Sequence, residues 1–177
     1  MEKKVIKEIG NLAKGHLFYN TYNADQYINN LISFIEGGLR QEHFCLIIEN
    51  DRLWLKIKKR LTELFSAKQL ERVIHMNNFD FYFSTGEFHV EAIVNYFSKT
   101  LSPFLSNNLG IRTWAHVEWG NGMDMTGKIK EFEQKAEEAV TSMNILAVCA
   151  YDEVRLNETM RKALLQTHTF YLSDKHD

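Results

Sequence analysis

DQYINNLISFIEGGLRQEHFCLIIE, residues 25–49, reads as a helix, a stop and a buried strand. Tyr27, Leu31, Phe34 and Ile35 recur at i, i+4, i+7 and i+8, which gathers them into one apolar stripe on a helix. Gly37 and Gly38 are expected to end that helix. The residue past a helix C-terminus often takes positive φ, which glycine adopts without a Cβ clash. The run FCLII over residues 44–48 has no polar alternation, as suits a strand covered on both faces in a parallel sheet.

Working outward, Val5, Ile6, Ile9, Leu12 and Ala13 predict an amphipathic helix within residues 1–14, ended by Gly15, with residues 15–177 forming one globular unit. HLFYNTY, residues 16–22, predicts a strand running into a loop, and Asn23 is placed to cap the next helix with Gln26 in the capping-box position. Downstream, Asn50 or Asp51 opens a helix to about Phe65 whose inward stripe is Leu53, Trp54, Ile57, Leu61, Leu64 and Phe65. Residues 72–75 read as a possible strand, and FDFYF at 79–83 as a short strand or an aromatic loop. A helix follows over 88–101, with Pro103, the sole proline, expected to kink or restart it.

IRTWAHVEW, residues 111–119, alternates as a strand: Ile111, Thr113, Ala115, Val117 and Trp119 on one face, Arg112, Trp114, His116 and Glu118 on the other. Thr126 is placed to cap a helix over 128–142, NILAVCA at 144–150 is an apolar strand, Asp152 is placed to cap a last helix to about Gln166, and residues 168–172 predict an edge strand. Helices alternating with apolar strands predict an α/β fold, a three-layer sandwich with a largely parallel central sheet.

The charge balance, 21 basic against 23 acidic residues, gives no basic surface; Lys56, Lys58, Lys59 and Arg60 read as a solvated helix face. No direct nucleic acid partner is expected. Cys45 and Cys149 lie in apolar runs, as buried thiols do in a reducing compartment. Residues 1–15 lack the apolar core of a secretory signal, and no segment holds the roughly 18 uninterrupted apolar residues of a membrane span, so a cytoplasmic protein with no membrane partner is expected.

Ligands of open parallel sheets sit beyond the strand C-termini, which directs attention to Tyr19, Tyr22, Glu49, Glu118, Trp119, Tyr151 and Asp152. Glu118 stands where a nucleotide hydrolase would place a metal-assisting acid; the plainer reading is a carboxylate paired with Arg112 or solvated. The G-x-x-x-x-G-K-[ST] phosphate cradle is missing: GNLAKG and the Gly37–Gly38 pair lack the lysine–serine ending, and GNGMDMTG at 120–127 places Asp124 where cations belong. The histidines at 16, 43, 75, 89, 116, 168 and 176 form no HExxH, so no metal and no cofactor is expected. His116 and Glu118 share a strand face and could join a metal site, but a satisfied polar pair is the preferred reading. A Cys149–His168 nucleophile is disfavoured, because an apolar strand disfavours the thiolate. Aromatic residues make up 12% of the chain, and those at strand ends suit a largely apolar small-molecule pocket.

The order of blocks carries a resemblance: residues 15–50, then FYFSTGEF at 81–88, LGIRTWAHVEWG at 109–120, FEQKAEEAV at 132–140, CAYD at 149–152 and the late His168. Together they resemble the MEDS family, the methanogen/methylotroph, DcmR sensory domain, from about Gly15 to Leu172. The resemblance implies a fold related to the RecA and KaiC core without its phosphate loop. It also implies a non-catalytic sensory role toward small, often hydrocarbon-derived ligands, exercised through a histidine kinase or a transcription regulator. Matching positions are His16, Tyr19, Gly38, Leu39, Tyr82, Gly86, Phe88, Arg112, Glu118, Trp119, Cys149, Tyr151, Asp152 and His168. The sequence departs at Gln41, where the family usually has glycine, and at Thr169, where proline is common.

The residues expected to bind ligand are His16, Tyr19, Tyr22, Arg112, Glu118, Trp119, Tyr151, Asp152 and His168, with the chain around residues 76–78 and 120–127 as the movers. No helix-turn-helix or kinase signature accompanies them, so signalling is expected to pass through a protein partner. A ligand-independent interaction module derived from a RecA-like ATPase is the alternative.

Overall fold

The computed structural model describes residues 4–5 and 8–175. Its strands are β1 (Lys4–Val5), β2 (Gly15–Thr21), β3 (Phe44–Glu49), β4 (Val73–Asn77), β5 (Ile111–His116), β6 (Leu146–Asp152) and β7 (Phe170–Ser173), forming one sheet in the order β1-β7-β2-β6-β5-β3-β4. Every pairing is parallel. The helices are α1 (Ala24–Arg40), α2 (Asp51–Leu64), α3 (Ala67–Leu70), α4 (Asn78–Tyr82), α5 (Val90–Ser106), α6 (Thr126–Met143) and α7 (Glu158–Thr167), with a 3₁₀ turn at Glu153–Arg155. The α/β sandwich expected from the alternating pattern is the architecture found.

Alternate residues of each strand feed opposite cores, as the pleat requires. Leu17 and Tyr19 of β2, Ile47 of β3, Trp114 of β5 and Val148 of β6 pack against Tyr27, Leu31, Phe34 and Ile35 of α1 and Ile57 and Leu61 of α2. Phe18, Ile48, Ala115 and Cys149 pack on the other side against Phe81 and Tyr82 of α4, Ile93 and Leu101 of α5, Ile129 and Phe132 of α6 and Leu164 of α7. A sheet clad on both faces explains why its strands read as continuous apolar runs.

The glycine pair does not end α1. The helix continues to Arg40, neither glycine has positive φ, and the left-handed turn falls on Glu42 at φ 60°. The glycines serve close packing: a Cβ on Gly38 would stand 2.6 Å from Cys45 Sγ, and one on Gly37 2.6 Å from the Gly10 carbonyl oxygen.

Other expectations shift for physical reasons. Lys4–Val5 is a strand beside β7, and residues 10–14 hold no helix, while Ile6 lies outside the described residues. Pairing satisfies the open edge of β7, so β7 is not the edge strand expected. FDFYF lies mostly in α4, whose first turn Asn77 caps by accepting from the Asp80 amide, and Asn78 is thereby part of a helix and not of a mobile loop. Pro103 sits within α5, near its end, where its missing amide costs one hydrogen bond and does not break the helix. Thr126 is the first residue of α6 and its N-cap, Met125, makes no side-chain cap. Asn157, not Asp152, caps α7. Asn23 does cap α1, accepting from the Asp25 and Gln26 amides.

Candidate functional site

Two buried polar clusters stand out, one at the carboxyl edge of the sheet and one within the core under α6. At the edge, β3 ends on Glu49, β5 on His116 and β6 on Asp152. His116 is 3% exposed and engaged at both ring nitrogens, Nδ1 with Glu49 Oε1 at 2.6 Å and Nε2 with Asp152 Oδ1 at 3.1 Å. Burial alone would strip its proton, but the flanking Glu49 and Asp152 carboxylates outweigh that and push its pKa well above the ordinary histidine value. His116 is therefore an imidazolium donating to both acids. Tyr27 of α1 donates to Glu49 Oε2 at 2.5 Å, and Trp114 Nε1 donates to the Tyr27 hydroxyl at 2.8 Å. Glu118 accepts from Asn50 at 2.7 Å and Asn78 at 2.9 Å, with Arg155 3.7 Å away.

Above this network lies a cleft of about 230 Å³ between the ends of β2 and β6 and the start of α2, lined by Thr21, Tyr22, Tyr27, Leu53, His116, Asp152, Glu153 and Val154. Tyr22 and Val154 stand at its exposed rim. Only Tyr22 and Asn23 separate β2 from α1. A phosphate cradle needs a longer glycine-bearing loop and free helix amides. Here the Asn23 side chain occupies those amides and Asp25 adds negative charge to the first turn.

The second cluster joins His16 of β2, Cys149 of β6, Glu133 of α6 and His168, which follows α7. His16 Nε2 lies 3.3 Å from Cys149 Sγ and 3.4 Å from Glu133 Oε2, and His168 Nε2 lies 3.2 Å from the same oxygen. Outside this centre, His16 Nδ1 pairs with Glu137 Oε2 at 2.6 Å, His168 Nδ1 with the Leu164 carbonyl at 2.7 Å, and the Tyr151 hydroxyl donates to Glu133 Oε1. Burial opposes the Glu133 charge, but His168 and His16 beside it and the Tyr151 hydroxyl hold its pKa down to about 2. Burial pushes the Cys149 thiol up.

A model of the MEDS domain, the MEthanogen/methylotroph, DcmR Sensory domain, matches residues 15–169. The chain belongs to the MEDS family. No curated protein sequence matches it. Among solved structures, the RadB recombinase superposes with TM-score 0.62 at 11% identity, covering 91% of this chain and 74% of that one. A second solved structure, an ATPase domain, superposes with TM-score 0.55 at 8% identity, covering 93% of this chain and 70% of that one. The MEDS fold here is RecA-like.

The predicted site residues of this MEDS domain divide between places. Tyr22 and Asp152 line the cleft, and Glu118 belongs to the network beneath it. His16, Tyr151 and His168 belong to the inner cluster. Tyr19 donates to Asp174 at 2.6 Å, bracing the end of β2. Trp119 is buried, with the Arg155 guanidinium 5.9 Å from its ring centre. Arg112 joins neither group: it is wholly buried beneath α1, donating to the Phe34 carbonyl at 3.3 Å, and does not pair with Glu118.

Sequence reasoning passed over Tyr27, Glu133 and Glu137 and set Cys149 aside. A signal for Glu133 did exist. It stands beside Ile129, Phe132, Ala136 and Val140 on the inward stripe of α6, where an apolar residue is the rule.

Proposed function

We propose that this MEDS domain is a non-catalytic regulatory module that binds a small molecule in the cleft over the Glu49–His116–Asp152 network and relays binding to a signalling protein such as a histidine kinase or a transcription regulator. The two-residue crossing from β2 to α1 carries this reading, because it removes the loop on which a triphosphate would rest. Charge supports it. Glu49, Glu118, Asp152 and Glu153 outnumber the cations His116, Arg155 and Arg161 facing them, and an acidic cleft repels a polyanion. The apolar wall formed by Tyr22, Leu53 and Val154 over a polar floor suits a short hydrocarbon derivative carrying one polar group.

A thermal-shift screen of short-chain alcohols, amines and haloalkanes tests it, alongside native mass spectrometry of protein purified from its host for a co-purifying small molecule. A ligand at a hundred times its Kd adds about 2.7 kcal/mol, or about 5–11 °C for a chain of this length. Tyr22→Ala, at the exposed rim, is expected to abolish that shift while leaving the unliganded melting temperature unchanged. Sustained magnesium-dependent ATP hydrolysis by the purified chain would overturn the proposal.

A further inference from the structure

We infer that His16, Glu133, Cys149 and His168 form a closed four-ligand site for a divalent cation of zinc type. The reasoning starts from which atoms carry hydrogens. The Leu164 carbonyl can only accept, so His168 Nδ1, 2.7 Å away, carries a proton and, in the neutral ring, Nε2 presents a lone pair. The Glu137 carboxylate fixes His16 in the same way through Nδ1, leaving its Nε2 lone pair on the inner side. Glu133 spends Oε1 on the Tyr151 hydroxyl and turns Oε2 inward.

Three lone-pair atoms and the Cys149 sulfur thus face one another, one ligand atom from each residue lying within 4.8 Å of the others. Glu133 Oε2 and His168 Nε2 are fully buried and have no hydrogen-bond partner among the described residues. Without a metal, one proton on His168 Nε2 would be shared with Glu133 Oε2 at 3.2 Å and the Cys149 thiol would donate to His16 Nε2 at 3.3 Å. Both rings cannot be protonated, however, since their centres lie 3.8 Å apart. A cation satisfies all four atoms together.

The spacing fits. Metal–ligand bonds of about 2.0–2.3 Å at tetrahedral angles separate ligand atoms by about 3.3–3.8 Å. Of the six separations among His16, Glu133, Cys149 and His168, those of 3.3 and 3.4 Å lie at the short end of that range, that of 3.2 Å just below it, and all are within 4.8 Å. Two imidazoles, a carboxylate and a thiolate form a nitrogen, oxygen and sulfur set suited to zinc, and each histidine is oriented by an acceptor on its far nitrogen, as metal-bound histidines are. Binding expels the Cys149 proton to solvent, so the two anionic ligands balance the dication and the buried centre is neutral. All four ligands are buried and come from β2, β6, α6 and the residue that follows α7, so the cation's role is to tie these elements together.

The other close group, Glu49, His116 and Glu118, offers no such site, because His116 donates from both nitrogens and has no lone pair to give.

The test uses the full chain, stripped with a chelator and titrated with Co²⁺. The expected result is one equivalent bound, with the intense visible bands of four-coordinate cobalt, a near-ultraviolet thiolate-to-cobalt transition, displacement by Zn²⁺ and a raised melting temperature. Cys149→Ser is expected to lose the thiolate transition, and Glu137→Gln, which disturbs only the orientation of His16, to weaken affinity about 10–100-fold. Tyr22→Ala is expected to change neither, which separates this site from the cleft. A folded wild-type chain giving only weak six-coordinate cobalt spectra, or a thiolate transition that survives Cys149→Ser, would overturn the inference.

Discussion

Replacing Glu49 by glutamine tests the polar network at the sheet edge. Glu49 is wholly buried: its Oε2 accepts from Tyr27 at 2.5 Å and its Oε1 from the Asn50 amide at 2.9 Å and His116 at 2.6 Å, and the single oxygen of a glutamine can serve only one of these two sides. With that oxygen toward Tyr27, the NH2 group opposes both the Asn50 amide and the Nδ1–H of His116; with it toward His116, the NH2 group faces the Tyr27 hydroxyl. In either orientation His116 loses the carboxylate charge formerly 2.6 Å away. The imidazolium is left with Asp152 at 3.1 Å and Glu118 at 3.5 Å. Removing one partner of a buried ion pair costs about 3–5 kcal/mol, or about 6–20 °C in melting temperature for a chain of this length.

The pH dependence supplies a second readout. In the wild type the raised His116 pKa contributes stability that is complete below the ordinary value of 6.5 and fades as pH rises through the folded-state value. The groups facing the ring are Glu49 of β3, Asp152 of β6, Glu118 and the Tyr27 hydroxyl of α1. Losing Glu49 lowers the folded-state pKa, so the fade is expected to begin at lower pH in Glu49→Gln. Urea unfolding across mildly acidic to alkaline pH measures both effects. A loss under about 1 kcal/mol, against the range for a broken buried pair, together with an unshifted pH profile, would refute the assignment of His116 as a buried imidazolium.

Further outcomes follow from packing. Gly38→Ala places a methyl 2.6 Å from Cys45 Sγ and 2.9 Å from Arg112 Cδ; a loss of about 1–3 kcal/mol in urea denaturation is expected, partly restored by Cys45→Ala. Arg112→Met is expected to be neutral or stabilising, because Nε and Nη2 of this buried cation have no hydrogen-bond partner among the described residues; a loss above about 2 kcal/mol, the cost of a deleted charged hydrogen bond, would count against that. Glu42→Gly relieves a positive φ of 60° at an exposed position and is expected to raise stability by about 0.5–1 kcal/mol by calorimetry, the left-handed penalty exceeding glycine's entropy cost.

The layered α/β fold was legible in the sequence because its determinants are local. The stripe from Tyr27 to Ile35 and the run FCLII state a helix and a doubly covered strand without reference to anything distant. The lost phosphate loop was legible for the same reason, a loop motif being contiguous. Gly37 and Gly38 mark where such reasoning fails: a glycine reads equally as a turn or as a close approach, and only the position of Cys45 and Arg112 across the interface decides between them. FDFYF likewise became helical through the Asn77 cap.

Neither polar cluster could be read from spacing. His16 and His168 are at opposite ends of the chain, and they meet only because β7 and β6 flank β2 and bring Cys149 and the end of α7 beside it. Glu49, His116 and Asp152 converge because three parallel strands end at one edge. Hydrophobic periodicity specifies which face of an element is buried, whereas the pairing of charged atoms depends on strand order and register, which the long-range packing of the whole sheet sets.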